Sequence, residues 1–83
     1  MNIKVLGSGC ASCKKLESLV KEVISQLGID ATVEYVSDFA KIVEYGVMAT
    51  PGLVIDKQVV FSGSVPSKAK LTEIITTELA KRG

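Results

Sequence analysis

The sequence predicts an α/β fold in which strands and helices follow the order β-α-β-α-β-β-α, with a four-stranded mixed sheet flanked by helices. Apolar residues recur at helical spacing in two long segments, and short β-branched apolar runs separate them. The crossover helix after the first strand makes the second strand parallel to the first, whereas a two-residue connection later in the chain suits an antiparallel hairpin. Both kinds of connection occur in this chain, so the predicted sheet is mixed.

The first half of the chain predicts two strands joined by a helix. Residues 3–6 form a short apolar strand, and residues 31–36 form a second one that is rich in β-branched side chains. The helix between them is predicted from one apolar stripe at spacings of three and four, and Gly28 is its stop signal. The stripe consists of Leu16, Leu19, Val20, Val23, Ile24 and Leu27.

A short helix follows the second strand. Ser37 or Asp38 can cap its N-terminus, and Gly46 is a suitable end. Side chains of this type accept hydrogen bonds from the first N–H groups of a helix, which have no partner inside it. The apolar residues of this helix are Phe39, Ile42 and Val43.

The second half of the chain predicts a hairpin and a last helix. Residues 53–55 and 58–61 are apolar runs separated by Asp56 and Lys57, which suits a tight antiparallel turn although the pair is not an ideal turn sequence. Ser67 caps the final helix. Its apolar stripe consists of Leu71, Ile74, Ile75 and Leu79.

Length and composition limit the possible functions. The 83 residues, 47% of them hydrophobic, suit one domain that spans residues 1–83, and the monomer is the expected form. The net charge is +1 and the four aromatic residues do not alternate with basic clusters, so nucleic-acid binding is not expected. The N-terminal apolar run is too short for a signal peptide, and no stretch could span a bilayer, so we expect a cytoplasmic protein away from membranes.

Cys10 and Cys13 are the only cysteines, and they lie where the first strand gives way to the first helix. Residues three apart share a helix face, so the two sulfurs can form a disulfide without backbone movement. Unpaired N–H groups and the positive end of the helix dipole favour a thiolate on Cys10. Cys10 is therefore the predicted nucleophile. Cys13, one turn inside and beside the buried stripe, is the predicted resolving thiol.

Three other roles for the two cysteines, structural, zinc-binding and Cu(I)-binding, are possible, but redox chemistry is the leading prediction. Structural thiols or a static disulfide would need only the same residues, but a bridge across two residues removes little chain entropy. A closed zinc site needs four ligands, and the chain has no histidine and no further cysteine. Binding of a soft cation such as Cu(I) stays open, because two thiolate ligands suffice for it.

This C-x-x-C pair, after the first strand of a β-α-β-α-β-β-α chain, resembles the thioredoxin and glutaredoxin superfamily over the whole length. Residues 9–15 (Gly-Cys-Ala-Ser-Cys-Lys-Lys) and 45–51 (Tyr-Gly-Val-Met-Ala-Thr-Pro) are similar to small, mostly prokaryotic thioredoxin-like proteins named redox-active disulfide proteins. The resemblance implies a thiol–disulfide oxidoreductase that exchanges electrons through a Cys10–Cys13 dithiol/disulfide with protein or low-molecular-weight disulfides, and so serves in electron transport. No other cofactor is expected.

The resemblance also implies a substrate site and partners. Pro51 would follow a cis peptide bond and face the dithiol, and the backbone of Thr50 would pair with an extended substrate segment. The expected partners are a protein with thiols or disulfides and, as electron donor, a reductase or glutathione. The strand before the cysteines contains Lys4 and no acid. The buried carboxylate that thioredoxins use for proton transfer is thus missing, and proton exchange is expected to use water.

The alternative function is carriage of a soft metal. Heavy-metal-associated carriers also place a C-x-x-C after their first strand, often with Ala and Ser between the cysteines. They usually have Met two places before the first cysteine, where this chain has Ser8, and they end in a strand, where this chain ends in a helix. Both differences favour the oxidoreductase.

Overall fold

The computed structural model of the chain describes residues 1–9 and 11–82, and Arg82 by its backbone alone. The described elements follow the predicted order. They are β1 (Asn2–Leu6), α1 (Ala11–Leu27), β2 (Thr32–Val36), α2 (Phe39–Glu44), β3 (Gly52–Ile55), β4 (Gln58–Ser62) and α3 (Lys68–Arg82). Strand ends shift by one residue from the prediction, because cross-strand pairing, rather than apolar content, sets where a strand begins.

The four strands form one mixed sheet in the order β2-β1-β3-β4. β1 and β2 are parallel, as expected for the pair joined by α1, and β3 is antiparallel to both β1 and β4. In the centre of the sheet Val5 lies opposite Tyr35 on one side and Leu53 on the other. The predicted four-stranded mixed sheet is therefore confirmed.

One face of the sheet is covered by α1 and α3. Side chains alternate along a strand, so Ile3 and Val5 of β1 point to this face together. Most of the predicted stripe of α1 is buried here, but Leu27 at its end is 41% exposed. The buried residues of this cluster are Ile3, Val5, Leu16, Val20, Val23, Ile24, Leu53, Ile55, Leu71 and Ile75.

The other face carries α2. Of the three apolar side chains predicted for this helix, Ile42 is buried, whereas Phe39 and Val43 are 78% and 45% exposed. A helix of six residues presents little more than one turn to the sheet, so one apolar side chain fills the contact. The buried residues of this second cluster are Leu6, Val36, Ile42, Val47 and Val54, with Tyr45 packed against them.

Side-chain caps stand at the starts of α2 and α3, and glycines follow the ends of α1 and α2, as predicted. The Asp38 carboxylate accepts a hydrogen bond from the backbone N–H two residues on, at 3.0 Å, so Asp38 rather than Ser37 is the cap. The Ser67 hydroxyl accepts one from the N–H three residues on, at 3.2 Å. Gly28 and Gly46 follow α1 and α2 with positive φ. Among the described helices none is long and apolar enough to cross a membrane.

The β3–β4 hairpin turns at Asp56 and Lys57, both of which have positive φ, as a two-residue type I′ turn requires. Two side-chain-bearing residues in this region make an unusual pair. Asp56 is also fixed to β1, because its N–H donates to the Asn2 carbonyl at 2.8 Å and its carboxylate accepts from the Asn2 N–H at 2.9 Å. These long-range bonds favour the turn where its sequence does not.

Candidate dithiol site

Four chain segments meet at one edge of the sheet. β1 and β2 end there, β3 begins there and β4 ends there. Leu6 lies opposite both Val36 and Gly52, and Gly52 lies opposite Ser62. The loop that leads from β1 towards the cysteines therefore lies beside the segment that leads into β3.

Cys13 lies in the first turn of α1, and its side chain is 0% exposed. It is disulfide-bonded. Cys10, the predicted nucleophile, lies outside the described residues, and its role stays a prediction. The residues on either side of it in the chain, Gly9 and Ala11, are both exposed. The described part of the motif thus combines an accessible entry to the helix with a buried second sulfur position.

Gly7 makes the burial of Cys13 possible. A Cβ atom at Gly7 would lie 2.6 Å from the Cys13 Cβ, 2.8 Å from the Cys13 Sγ and 2.7 Å from the Tyr35 hydroxyl. Contacts this short do not occur between real side chains, so only glycine fits between the end of β1 and the first turn of α1. The close approach of these two segments positions Cys13 against the sheet.

The next part of the loop is held by β2. The N–H of Gly9 donates a hydrogen bond to the Tyr35 hydroxyl at 2.8 Å. Gly9 has a φ of 86°, a left-handed conformation that glycine adopts without a steric penalty. The residue immediately before Cys10 is therefore tied to a side chain from the neighbouring strand.

Thr50 and Pro51 precede β3 at the same edge. The peptide bond between them is cis. Pro51 is buried and Thr50 is half-buried, and the Pro51 carbonyl accepts a hydrogen bond from the Gly63 N–H at 2.8 Å. One residue further on, Gly52 pairs with Leu6, next to the glycine that contacts Cys13. The substrate-binding role of Thr50 and Pro51 stays a prediction.

The sequence of this site and its fold match one known family. A family model described as a thioredoxin domain covers residues 1–76. The chain belongs to the thioredoxin family. The resemblance drawn from the C-x-x-C pair, the element order and the Thr50–Pro51 segment is thereby confirmed at the level of the family.

Similar proteins support this membership of the thioredoxin family. The chain is 38% identical over 76 residues to a thioredoxin of Methanothermobacter thermautotrophicus, covering 92% of this chain and 99% of that protein. It is 36% identical over 77 residues to a thioredoxin of Methanocaldococcus jannaschii, covering 93% and 88%. Thioredoxin 1 of Thermosipho africanus superposes with a TM-score of 0.68 at 17% identity, covering 99% and 98% of the two chains. The predicted thioredoxin-like fold is confirmed.

Sequence patterns do not single out two residues at this edge of the thioredoxin-like sheet. Gly7 reads as an ordinary loop glycine, and Tyr35 reads as one more apolar residue of a strand. The alternation in β2 predicts that Tyr35 shares a face with Val33, but only the assembled sheet, in which Tyr35 lies opposite Val5, shows that its hydroxyl reaches Gly9 in the loop.

Lys4 lies on the opposite face of β1 from Tyr35. Its ammonium group donates a hydrogen bond to the Tyr45 hydroxyl at 3.3 Å and lies 3.9 Å from the Glu34 carboxylate. The side chain is 29% exposed and has partners for its charge. Across residues 1–9 and 11–82 no group of three or more His, Cys, Asp or Glu could hold a metal ion. The metal-carrier alternative therefore depends on the two thiolates alone.

Proposed function

We propose that this thioredoxin-family protein is a thiol–disulfide oxidoreductase that acts through Cys10 and Cys13. The relatives named thioredoxin support this class of activity. Protein substrates with thiols or disulfides are the partners, and the Cys10–Cys13 disulfide is the redox group. Thr50 and Pro51 contact the substrate segment that approaches the dithiol.

The contrast between the two ends of the motif supports the proposal most directly. Cys13 is fully buried, whereas the chain neighbours of Cys10 are exposed. A sulfur with 0% exposure is a poor first contact for a large substrate, but it is well placed to attack a disulfide formed beside it. This favours Cys10 as the nucleophile and Cys13 as the resolving thiol.

The proposed reaction has two exchange steps. The Cys10 thiolate attacks one sulfur of a substrate disulfide, so a mixed disulfide forms and the other substrate sulfur leaves as a thiolate. The Cys13 thiolate then attacks the Cys10 sulfur, forms the Cys10–Cys13 disulfide and releases the second substrate thiolate. The substrate gains two electrons and the protein loses two.

A donor must return the protein to the dithiol form. In this proposal a reductase or glutathione supplies the two electrons, and the cycle runs in the cytoplasm. Disulfides that form in that reducing compartment are usually transient and catalytic, as this cycle requires. The protein acts as a monomer, because the proposed site is formed by segments of one chain.

Single serine variants test the division of roles. Reduced Cys13→Ser should attack a protein disulfide and accumulate as a mixed disulfide, because no second thiol resolves it. Cys10→Ser should give no adduct above the level of the Cys10→Ser/Cys13→Ser double variant. Acid quenching followed by intact-mass spectrometry measures the adducts.

The same experiment distinguishes the alternatives. An adduct formed by Cys10→Ser and not by Cys13→Ser would reverse the assigned roles. If the wild-type protein exchanges no disulfides but binds Cu(I) tightly, soft-metal carriage replaces the oxidoreductase. Assays with glutathione and with a thioredoxin reductase in parallel show which donor reduces the disulfide.

A further inference from the structure

Tyr35 connects the neighbouring strand to the segment that carries the cysteines. It lies opposite Val5 in the parallel β1–β2 pair, and its side chain packs against the cluster under α1 and α3. Its hydroxyl accepts a hydrogen bond from the Gly9 N–H at 2.8 Å, across 26 residues of sequence. The bond fixes the backbone one residue before Cys10.

The same hydroxyl lies beside the buried sulfur. The point where a Gly7 Cβ would stand is 2.7 Å from the Tyr35 oxygen and 2.8 Å from the Cys13 Sγ. The Tyr35 oxygen and the Cys13 Sγ therefore lie close to the same point, and Gly7, which has no side chain, leaves the space between them open. The Tyr35 hydroxyl is a polar group on the side of the sheet where Cys13 is buried.

We propose that Tyr35 is a positioning residue of the dithiol. This inference rests on the proposed oxidoreductase function and deepens it. By holding Gly9, Tyr35 fixes where the helix entry stands relative to Cys13. In the reduced protein its O–H donates to the Cys13 sulfur and stabilises the thiolate that resolves the mixed disulfide.

The resolution of the mixed disulfide by Cys13 explains why a positioning residue is needed. The Cys13 sulfur must approach the Cys10 sulfur along the axis of the breaking bond, and small displacements of the reacting atoms slow a reaction strongly. β1 offers Lys4 rather than an acid, and Lys4 lies on the other face with its own partners. The charged side chains that line the surface hollow next to Tyr35 are Lys14 and Glu17, both from α1.

Tyr35→Phe removes the hydroxyl and keeps the ring, and Tyr45→Phe is the matched control. Tyr45 also accepts a hydrogen bond, from Lys4, but on the opposite face of the sheet. Tyr35→Phe should slow decay of a preformed mixed disulfide roughly tenfold or more, the effect of one hydrogen bond to a charged group. It should also shift the equilibrium with glutathione towards the disulfide, while Tyr45→Phe stays within about twofold of wild type on both measures.

Amide hydrogen exchange gives a readout that does not depend on activity. The Gly9 amide should exchange faster in Tyr35→Phe than in the wild type, and at the wild-type rate in Tyr45→Phe. The inference would be overturned by a folded Tyr35→Phe protein in which the rate of mixed-disulfide decay, the equilibrium with glutathione and the exchange rate of the Gly9 amide all match the wild type. If Tyr35→Phe does not fold, site-specific 3-fluorotyrosine at position 35, a stronger donor, should shift the equilibrium towards the dithiol, and no shift would refute the inference. If wild-type protein itself exchanges no disulfides, the proposed function fails instead.

Discussion

The two faces of the sheet differ in how much they bury and in what they expose. Of the described residues, ten are buried in the cluster under the two long helices α1 and α3, whereas five are buried under α2, a helix of six residues. Cys13, Gly7 and Tyr35 belong to the first face. The three most exposed large apolar residues among those described, Phe39, Val43 and Met48, belong to α2 and the segment after it, whereas Leu27 at the end of α1 and Val59 of β4 are less exposed. The thicker face therefore holds the buried part of the dithiol site, and the thinner face leaves apolar surface accessible.

Truncation of one core residue on each face should give the largest contrast in stability. Leu16→Ala removes a completely buried side chain between α1 and the sheet and should cost about 4 kcal/mol. Ile42→Ala on α2 should cost about 2 kcal/mol, because a short helix with few buried neighbours can relax into the space. Urea unfolding monitored by circular dichroism measures both values.

Equal losses for Leu16→Ala and Ile42→Ala would show that the two faces contribute alike. The comparison would then have to be abandoned. A change in the slope of the unfolding free energy against urea concentration, rather than in the midpoint, would indicate an altered unfolded state. The contrast in stability between the two variants would then be measured by thermal unfolding.

A methyl group at Gly7 tests the close packing of the dithiol edge. Gly7→Ala places a Cβ within 2.8 Å of three atoms of Cys13 and Tyr35, so β1 and α1 must separate, at a cost of about 2 kcal/mol. Gly52→Ala is the matched control on the adjacent strand, where the nearest atoms lie at 3.5 Å, and it should change stability by less than about 0.5 kcal/mol. Urea unfolding compares the two variants.

Gly7→Ala should also make Cys13 accessible. In the reduced protein, alkylation of Cys13 should be faster in Gly7→Ala than in Gly52→Ala, as peptide mass mapping can show. A Gly7→Ala protein as stable as Gly52→Ala, with Cys13 equally protected, would contradict the close approach of the two segments.

Local pattern predicts most of the fold. The spacing of Leu16, Val20 and Val23 predicts α1 and its buried side, because helical periodicity is fixed by backbone geometry. Asp38 and Ser67 mark helix starts through the chemistry of their own side chains. The family and the predicted fold also follow from short segments, since the dithiol and the Thr50–Pro51 pair occur at fixed places in the order of strands and helices.

Contacts between distant segments are not available from such patterns. Periodicity shows that Phe39 and Val43 are apolar, but the exposure of both depends on how few neighbours α2 meets. The left-handed Asp56 and Lys57 pair depends on hydrogen bonds between Asp56 and Asn2 of β1, which is distant in the chain but adjacent in the sheet. The Tyr35–Gly9 contact requires the register of β2 on β1, which no single segment encodes.

The smallest expected effect compares one ion pair from each face. Glu22→Gln removes the 2.6 Å pair between Lys68 of α3 and Glu22 of α1, and it should cost about 0.5 kcal/mol at low salt because both side chains are partly exposed. Glu34→Gln removes the longer 3.9 Å pair with Lys4 and should cost less, since Lys4 keeps its hydrogen bond to Tyr45. Urea unfolding at low salt and in 1 M NaCl measures both, and the loss in Glu22→Gln should shrink as salt screens the pair. A loss that persists unchanged in 1 M NaCl would mean that Glu22 stabilises the α1–α3 contact by packing rather than by charge.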